Sequence, residues 1–255
     1  MDFMKITAQA YTIRDFCKTP EDIAVSFKKL ADIGYRYVQA SGMGAIEPIR
    51  LKEIADQTGL EVVITHTSPD RILEDTMGVI NDHRIFGCNH IGIGSLPGKY
   101  QTGAEGYRQF TADFNPAAKI LADNGMMFHY HNHHFEYEKD GGEVLFDILV
   151  NETNPKHWGF IIDTYWVQFA GRCPAKQIEA LKDRVVVCHV KDMAIVNRGQ
   201  KMAPVYEGNL NFDEILESCA KANVQYLAVE QDDCNGKDPF ECLKISYDNL
   251  KKKLG

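Results

Sequence analysis

Short β-type runs alternate with longer helical runs along the chain, and this alternation constrains the fold more than any other feature. Eight segments predict strands: 5–11, 35–40, 60–65, 88–94, 126–132, 158–163, 185–190 and 225–230. Each is followed by a predicted helix: 20–33, 50–58, 71–83, 106–124, 142–152, 174–181, 211–222 and 239–252. Such alternation indicates βαβ units and a parallel sheet.

Eight units in 255 residues predict a single-domain (β/α)₈ barrel, the TIM barrel, rather than an open doubly wound sheet. The first strand–helix junction has no G-x-G-x-x-G motif, which disfavours a dinucleotide-binding fold. No linker or low-complexity tract divides the chain, so we expect one domain over residues 1–255. Pro116 marks a possible break in the fifth predicted helix.

Composition excludes several classes of protein. The net charge of −8 disfavours nucleic acid and anionic lipid as partners. No run approaches 18 apolar residues, so we expect no membrane span, and the first eleven residues lack the apolar core of a signal peptide. The seven cysteines form no C-x-x-C pair and are typical of reduced thiols, which predicts a cytoplasmic protein.

Polar residues accumulate where the predicted strands end, which is where the active site of a (β/α)₈ barrel lies. The third strand ends at His66 and the sixth at Asp163. The fifth runs into HYHNHHFE (129–136), the seventh into HVKD (189–192) and the eighth into EQD (230–232). Five of the nine histidines lie at the ends of the fifth and seventh strands, which chance would rarely produce.

The two-residue period of a strand selects four of these side chains. If the inward faces are those of Ile161 and Ala228, then His131, Asp163, His189 and Glu230 lie at one mouth on four consecutive strands. Two imidazoles and two carboxylates form a mixed nitrogen and oxygen site. It suits one divalent cation such as Mn²⁺, Zn²⁺, Co²⁺ or Mg²⁺ better than Ca²⁺. Two adjacent buried carboxylates without a cation would cost several kcal/mol.

Taken singly, each residue has a structural interpretation. Asp163 could cap the following segment, His189 could be a hydrogen-bonded core histidine, and Glu230 could pair with Lys191. Trp166, with its neighbour Tyr165, either lines a substrate cavity or covers the barrel rim.

Two glycine-containing motifs also have two interpretations each. Glu207-Gly208 either brings a carboxylate to the mouth or forms a turn. Gly92 and Gly94 in the fourth strand indicate close packing or a bulge.

At these residues the chain resembles the sugar phosphate isomerase/epimerase group of xylose isomerase-like TIM barrels. The resemblance covers nearly the whole chain. It rests on AQAYTIRD (8–15), GYRYVQ (34–39), FHYHNHHFEY (128–137), IDTYWVQFAG (162–171), VCHVKD (187–192), EGNLNFDEIL (207–216) and VEQD (229–232).

In that family one metal is held by residues of strands five to eight, usually Glu, Asp, His and Glu. The resemblance therefore implies Asp163, His189 and Glu230 as ligands, with His131 in place of the strand-five glutamate. Glu136 is an alternative ligand or a substrate contact. Gln39 stands where many relatives have glutamate, and Tyr206 where glycine commonly precedes the E-G pair.

This chemistry predicts an enzyme that acts on a ketose or keto-sugar by α-proton abstraction through an enediolate. We expect Glu230 to be the metal-linked base, with His133 or Lys191 moving or stabilising the second proton. The outcome would be isomerisation, epimerisation or elimination from a 3-keto-glycoside. The partner would be a small carbohydrate. The predicted substrate contacts are His66, Glu136 and Trp166.

Two rival functions make different demands. A metallohydrolase of the apurinic endonuclease type would need about three metals and a basic face, and the net charge of −8 argues against it. A non-catalytic carbohydrate-binding barrel that has lost the strand-five glutamate stays open. Its metal content would distinguish it from the enzyme.

Overall fold

The eight predicted strands form a closed parallel barrel surrounded by helices, which confirms the (β/α)₈ fold. This computed structural model describes residues 3–255. The barrel strands are β1 Lys5–Gln9, β2 Tyr37–Ala40, β3 Glu61–His66, β4 His90–Ile93, β5 Met127–His131, β6 Trp158–Asp163, β7 Val187–Val190 and β8 Tyr226–Val229. Strand β1 pairs with both β2 and β8, which closes the sheet.

Ten α-helices are found among the described residues. They are α1 Pro20–Ile33, α2 Pro48–Thr58, α3 Pro69–Glu74, α4 Thr76–Phe86, α5 Ala104–Asp123, α6 Leu145–Asn151, α7 Thr164–Phe169, α8 Pro174–Ala180, α9 Phe212–Lys221 and α10 Pro239–Leu254. Helix α1 begins as the sequence predicts, because Thr19 and Asp22 form a reciprocal capping box around Pro20.

The lower part of the lumen is filled by side chains. Ile64, Ile161, Val187 and Ala228 pack together there, all with no exposed surface. Gly92 allows this packing, since a Cβ at that position would lie 2.9 Å from the Thr65 carbonyl and 3.0 Å from Ile161. The lumen is therefore a packed core, and a ligand can approach it from the mouth at the carboxyl ends of the strands.

Two predicted helices differ from the structure. The segment predicted as one helix over 71–83 is two helices, α3 and α4, and Asp75 caps the second by accepting from the Gly78 amide. Helix α5 continues through Pro116, so the predicted break was wrong. The buried residues on both sides of Pro116, including Phe114 and Ala117, hold the helix against the barrel despite a proline cost of about 3 kcal/mol.

A β-hairpin follows β7 where the sequence analysis assigned no regular structure. Its strands are Asp192–Val196 and Gly199–Ala203, and its turn residues Asn197 and Arg198 have φ of 51° and 66°. Positive φ at both positions is typical of the tight turn that matches the twist of two antiparallel strands. The hairpin begins two residues after the carboxyl end of the strand that carries His189.

Within residues 3–255, no helix is both long and apolar enough to cross a membrane.

Candidate active site

A cavity of about 490 Å³ opens at the carboxyl ends of the strands. One wall comes from the loops after β1, β2 and β4, and includes Tyr11, Gly42 and Leu96. The polar wall is formed by His66, His131, His133, Lys191, Glu230 and Asp232. The cavity thus lies where the ends of β3, β5, β7 and β8 meet.

The structure brings His131, Asp163, His189 and Glu230 together at the base of this cavity. One donor atom from each side chain lies within 4.8 Å of the other three, and all four residues are buried. His131 Nε2 is 3.4 Å from Asp163 Oδ2, and His189 Nδ1 is 2.9 Å from Glu230 Oε2. Four donors around a tetrahedral cation stand roughly 3.4 Å apart, so these two contacts are near that spacing, while the 4.8 Å limit of the whole cluster is wider.

Hydrogen bonds outside the cluster fix the two imidazoles. His131 donates from Nδ1 to the Gly94 carbonyl at 3.0 Å, which turns Nε2 toward Asp163 Oδ2. His189 Nε2 lies 2.8 Å from Gln39 Oε1, which turns Nδ1 toward Glu230 Oε2. A metal-binding histidine is oriented in this way by a bond from its other nitrogen.

Asp163 divides its two carboxylate oxygens between two contacts. Oδ1 accepts from the Trp166 amide at 3.1 Å and caps helix α7. Oδ2 faces the cluster, 3.4 Å from His131 Nε2 and 3.3 Å from Lys191 Nζ. Asp163 can thus cap helix α7 and also serve as a metal ligand, because each role uses a different oxygen.

Lys191 places its ammonium beside the cluster. Nζ is 3.3 Å from Asp163 Oδ2, 3.3 Å from Glu230 Oε2 and 2.7 Å from Asp232 Oδ2, and the side chain is 1% exposed. The same Nζ atom lies 5.2 Å from the centre of the Trp166 ring. The pairing of Glu230 with Lys191 is therefore present in the structure alongside the approach of Glu230 to His189.

The buried charges set the protonation states of the cluster. Burial alone would raise the pKa of Asp163 and Glu230, but Lys191 and the neighbouring histidines outweigh it and lower both. Burial lowers the pKa of Lys191, but the three carboxylates outweigh it and raise that pKa above its ordinary value. Both carboxylates are therefore anionic and Lys191 is cationic at neutral pH.

His66, a predicted substrate contact, and His133, a predicted carrier of the second proton, both line the cavity. His66 has its ring nitrogens bonded to Gln39 Nε2 at 2.8 Å and Ser41 Oγ at 2.9 Å. Burial, and then the adjacent His131, lowers the pKa of His133 to about 3, so this imidazole is neutral. The Nδ1 atom of His133 is buried and has no hydrogen-bond partner within residues 3–255.

The other two predicted substrate contacts do not line this cavity. Glu136 is fully buried, and its oxygens accept from the Tyr130 hydroxyl at 2.7 Å and from the His133 amide at 2.8 Å. Both bonds hold the 3₁₀ turn Phe135–Tyr137 against the outer side of β5. Trp166 borders the site behind Lys191 and packs against His133 and His134.

Two side chains complete the site without having been chosen from the sequence. Asp232 lines the cavity and makes the shortest contact to Lys191. Its position two residues after Glu230 is the signal that could have found it, since the strand alternation extends into the loop. Gln39 links His189 to His66, and no pattern within β2 alone would have selected it.

The chemistry of the donors fits a divalent cation. Each imidazole presents one ring nitrogen, each carboxylate presents one oxygen, and outer hydrogen bonds hold the histidines in place. Mixed nitrogen and oxygen donors of this kind are used by zinc and other first-row transition metals. The buried His, Asp, His and Glu side chains could therefore hold a metal ion.

Known structures share this fold over almost the whole chain. A sugar phosphate isomerase/epimerase from Parabacteroides distasonis ATCC 8503 is 20% identical, with a TM-score of 0.82 over 98% of this chain and 94% of that one. A D-allulose 3-epimerase from Methylomonas sp. is 14% identical, with a TM-score of 0.74 over 98% of each chain. The IOLI protein, whose structure holds a zinc atom, is 10% identical, with a TM-score of 0.73 over 98% of each chain.

A search of curated protein sequences found no match. The family model described as xylose isomerase-like TIM barrel matches residues 27–241, which is most of the chain. The resemblance noted in the sequence is thereby confirmed. The chain belongs to the xylose isomerase-like TIM barrel family.

Proposed function

We propose that this protein, with residues 1–255 as one domain, is a cytoplasmic, divalent-metal-dependent sugar isomerase or epimerase. Its substrate would be a ketose or keto-sugar. The observation that carries the proposal is the convergence of His131, Asp163, His189 and Glu230 at the base of the mouth cavity. The similarity to a D-allulose 3-epimerase and an L-ribulose 3-epimerase supports sugar chemistry for the same fold.

The proposed ligands are His131, Asp163, His189 and Glu230. A bound divalent cation would polarise the substrate carbonyl and lower the energy of the enediolate. The chain itself contributes fixed protein groups around the cavity. His66 and His133 line it with imidazoles, and the floor below Asp163 and His189 is packed, so water enters only from the mouth.

Glu230 is the proposed base that removes the α-proton. Its carboxylate is anionic, lines the cavity and is 5% exposed, so it can accept a proton from a carbon held above it. Lys191 is a better candidate than His133 for the group that moves or stabilises the second proton, because Lys191 is cationic and His133 is neutral. An ammonium beside the cavity can donate a hydrogen bond to a developing oxyanion.

Isotope exchange tests this assignment without a known substrate. The protein is incubated in D₂O with a panel of ketoses and 3-keto-glycosides, and deuterium incorporation is followed by NMR. Glu230→Gln should lower exchange by about 10²-fold or more, the usual effect of losing a general base. Glu207→Gln is the matched control, since that exposed side chain bonds Asn249 through an oxygen that glutamine retains.

The panel also separates the possible outcomes. Exchange into a free ketose supports isomerisation or epimerisation, whereas loss of the glycosidic group from a 3-keto-glycoside supports a lyase. Wild-type exchange in Glu230→Gln, with a lower melting temperature, would make Glu230 a structural partner of Lys191 and leave His133 as the better base.

One observation favours the second candidate, a non-catalytic carbohydrate-binding barrel. Lys191 already contacts both carboxylates of the cluster, which is a way to neutralise them without a metal. Protein purified without chelator decides between the two. Metal-free protein that gains no divalent cation on titration would support the binding protein.

A further inference from the structure

Lys191 and the proposed metal would use the same two oxygen atoms. The ammonium lies 3.3 Å from Asp163 Oδ2 and 3.3 Å from Glu230 Oε2. These are also the oxygens nearest His131 Nε2 and His189 Nδ1. A cation placed among the four side chains would therefore repel the ammonium across these shared oxygens.

With a divalent cation bound, the positive and negative charges of the site would sum to zero only if the Asp232 carboxylate is included. Asp163, Glu230 and Asp232 carry three negative charges, and Lys191 carries one positive charge. Two negative charges remain, which is the charge that a divalent cation supplies. Without Asp232, the lysine and a divalent cation together would leave one uncompensated positive charge in a buried site, which is costly.

Asp232 is held in place independently of Lys191. Its backbone carbonyl accepts from Arg14 at 3.0 Å, and the preceding amide, of Gln231, donates to Thr12 Oγ1 at 3.0 Å. Both bonds tie the start of the β8–α10 loop to the 3₁₀ helix Ala10–Phe16. The carboxylate is thus presented to the ammonium from a fixed position, at the shortest of the three distances, 2.7 Å.

We propose that Asp232 is a positioning residue that holds the Lys191 ammonium on the cavity side of the cluster and so allows Asp163 and Glu230 to bind a divalent cation. This inference rests on the proposed metal centre and concerns how the oxygens of Asp163 and Glu230 are kept available to the cation. Asp232 acts through Lys191, and its removal leaves the ammonium with no hydrogen-bond partner within residues 3–255 other than the two ligand oxygens.

A double-mutant cycle tests the coupling. Mn²⁺ dissociation constants are measured by calorimetry for wild type, Asp232→Asn, Lys191→Met and the double variant. Asp232→Asn should weaken Mn²⁺ binding by about tenfold or more in the wild-type background and by less than about threefold when Lys191 is methionine. Asp233→Asn is the matched control, because it removes the same charge one residue away.

Two further measurements exclude a merely structural role. Asp232→Glu keeps the charge and should restore most of the Mn²⁺ affinity. The metal-free melting temperature of Asp232→Asn should stay near that of Asp233→Asn, because Lys191 keeps its other two partners. If Lys191→Met does not fold, the comparison of Asp232→Asn with Asp233→Asn still decides: equal Mn²⁺ affinities would overturn the inference.

The outcomes separate this inference from the proposed function. Equal effects of Asp232→Asn in both backgrounds refute positioning through Lys191 but leave the metal centre intact. Binding by Lys191→Met but not by wild type means that lysine permanently occupies the site. That result refutes metal dependence and also refutes the role of Asp232 in keeping the site available. Binding by none of the proteins refutes both.

Discussion

Asp163 shows how one residue can serve the fold and the site together. Its Oδ1 caps α7 and its Oδ2 faces His131 and Lys191, so the strand end, the helix start and the cluster share one side chain. An asparagine would keep an oxygen for the cap but lose the charge. The two functions can therefore be separated by substitution.

Substitution of the three proposed ligands other than Glu230 should weaken metal binding strongly. We expect His131→Ala, Asp163→Ala and His189→Ala each to lower Mn²⁺ affinity by about 100-fold or more, since even loss of an orienting residue costs 10–100-fold. The fold should survive, because strand-end ligands lie outside the packed lumen layers. Calorimetry measures the affinity and circular dichroism the fold.

Matched variants give the controls for this experiment. His129→Ala removes a buried histidine of β5 that bonds His90 instead, so its metal affinity should be unchanged. Asp163→Asn should lose affinity like Asp163→Ala but keep the α7 cap, worth about 1 kcal/mol. Wild-type metal occupancy in all three alanine variants would show that the site is elsewhere.

The alternation of side chains along strands predicted which four residues meet. His131, Asp163, His189 and Glu230 lie together as the two-residue period requires. Glu136, which the resemblance offered as an alternative ligand or substrate contact, lies in a 3₁₀ turn and directs its carboxylate outward to Tyr130. The roles of the four clustered residues as metal ligands stay a prediction, because periodicity gives the positions of side chains and not whether a metal is bound.

At the scale of elements, the hairpin after β7 is anchored by Asp192. Its buried carboxylate accepts from the amides of Met193, Tyr206, Gly208 and Leu210 at 2.7 to 3.2 Å. Tyr206 has φ of 70°, a conformation that favours glycine, which is the residue that the resemblance implies before the E-G pair. In the HVKD motif, then, Lys191 faces the site and the next residue holds the loop.

This anchor explains Gly208 and predicts the effect of replacing it. A Cβ at Gly208 would lie 2.4 Å from Asp192 Oδ1 and 2.6 Å from the Met193 carbonyl. Gly208→Ala should therefore destabilise the protein by about 1–3 kcal/mol in urea unfolding. Gly199→Ala, in the preceding hairpin, is the control, because a Cβ there would have its nearest neighbour at 3.7 Å. Equal stabilities would show that the loop adjusts freely.

The turn after β5 should make stability depend on pH. Burial raises the pKa of Glu136 to about 7 from an ordinary value of 4.5. The folded state thus holds a proton that the unfolded chain releases earlier, so stability present at low pH is lost as the pH rises toward 7 and above.

Glu136→Gln should remove this dependence. Between pH 5 and 8, metal-free wild type should lose on the order of 2–3 kcal/mol more unfolding free energy than the variant, as a shift of this size implies. Urea unfolding in chelator at several pH values measures it, with exposed Glu138→Gln as control. Parallel pH profiles for wild type and Glu136→Gln would contradict a raised pKa at this carboxyl.

At the scale of the whole molecule, the proposed ligands come from four consecutive strands, β5 to β8. These strands are neighbours in the sheet, and β8 closes the barrel by pairing with β1. The fold class was predictable because strand and helix alternate so regularly. The hairpin and the network through Gln39 were not, since they depend on contacts between segments far apart in sequence.

Because the four proposed ligands meet only in the closed barrel, a metal should bind the folded state and not the unfolded chain. At a free Mn²⁺ concentration about 100 times the dissociation constant, this adds about 2.7 kcal/mol of stability. For a chain of this size that corresponds to a rise of about 5–10 °C in the melting temperature. Chelator should reverse the rise without unfolding the protein, since Lys191 still neutralises part of the cluster.

Ca²⁺, which prefers oxygen donors, should give a smaller rise in melting temperature. Scanning calorimetry with Mn²⁺, Zn²⁺, Co²⁺, Mg²⁺ and Ca²⁺ measures these shifts, and His131→Ala should abolish them. A melting temperature that no divalent cation raises would mean that the two carboxylates are neutralised by protein groups alone.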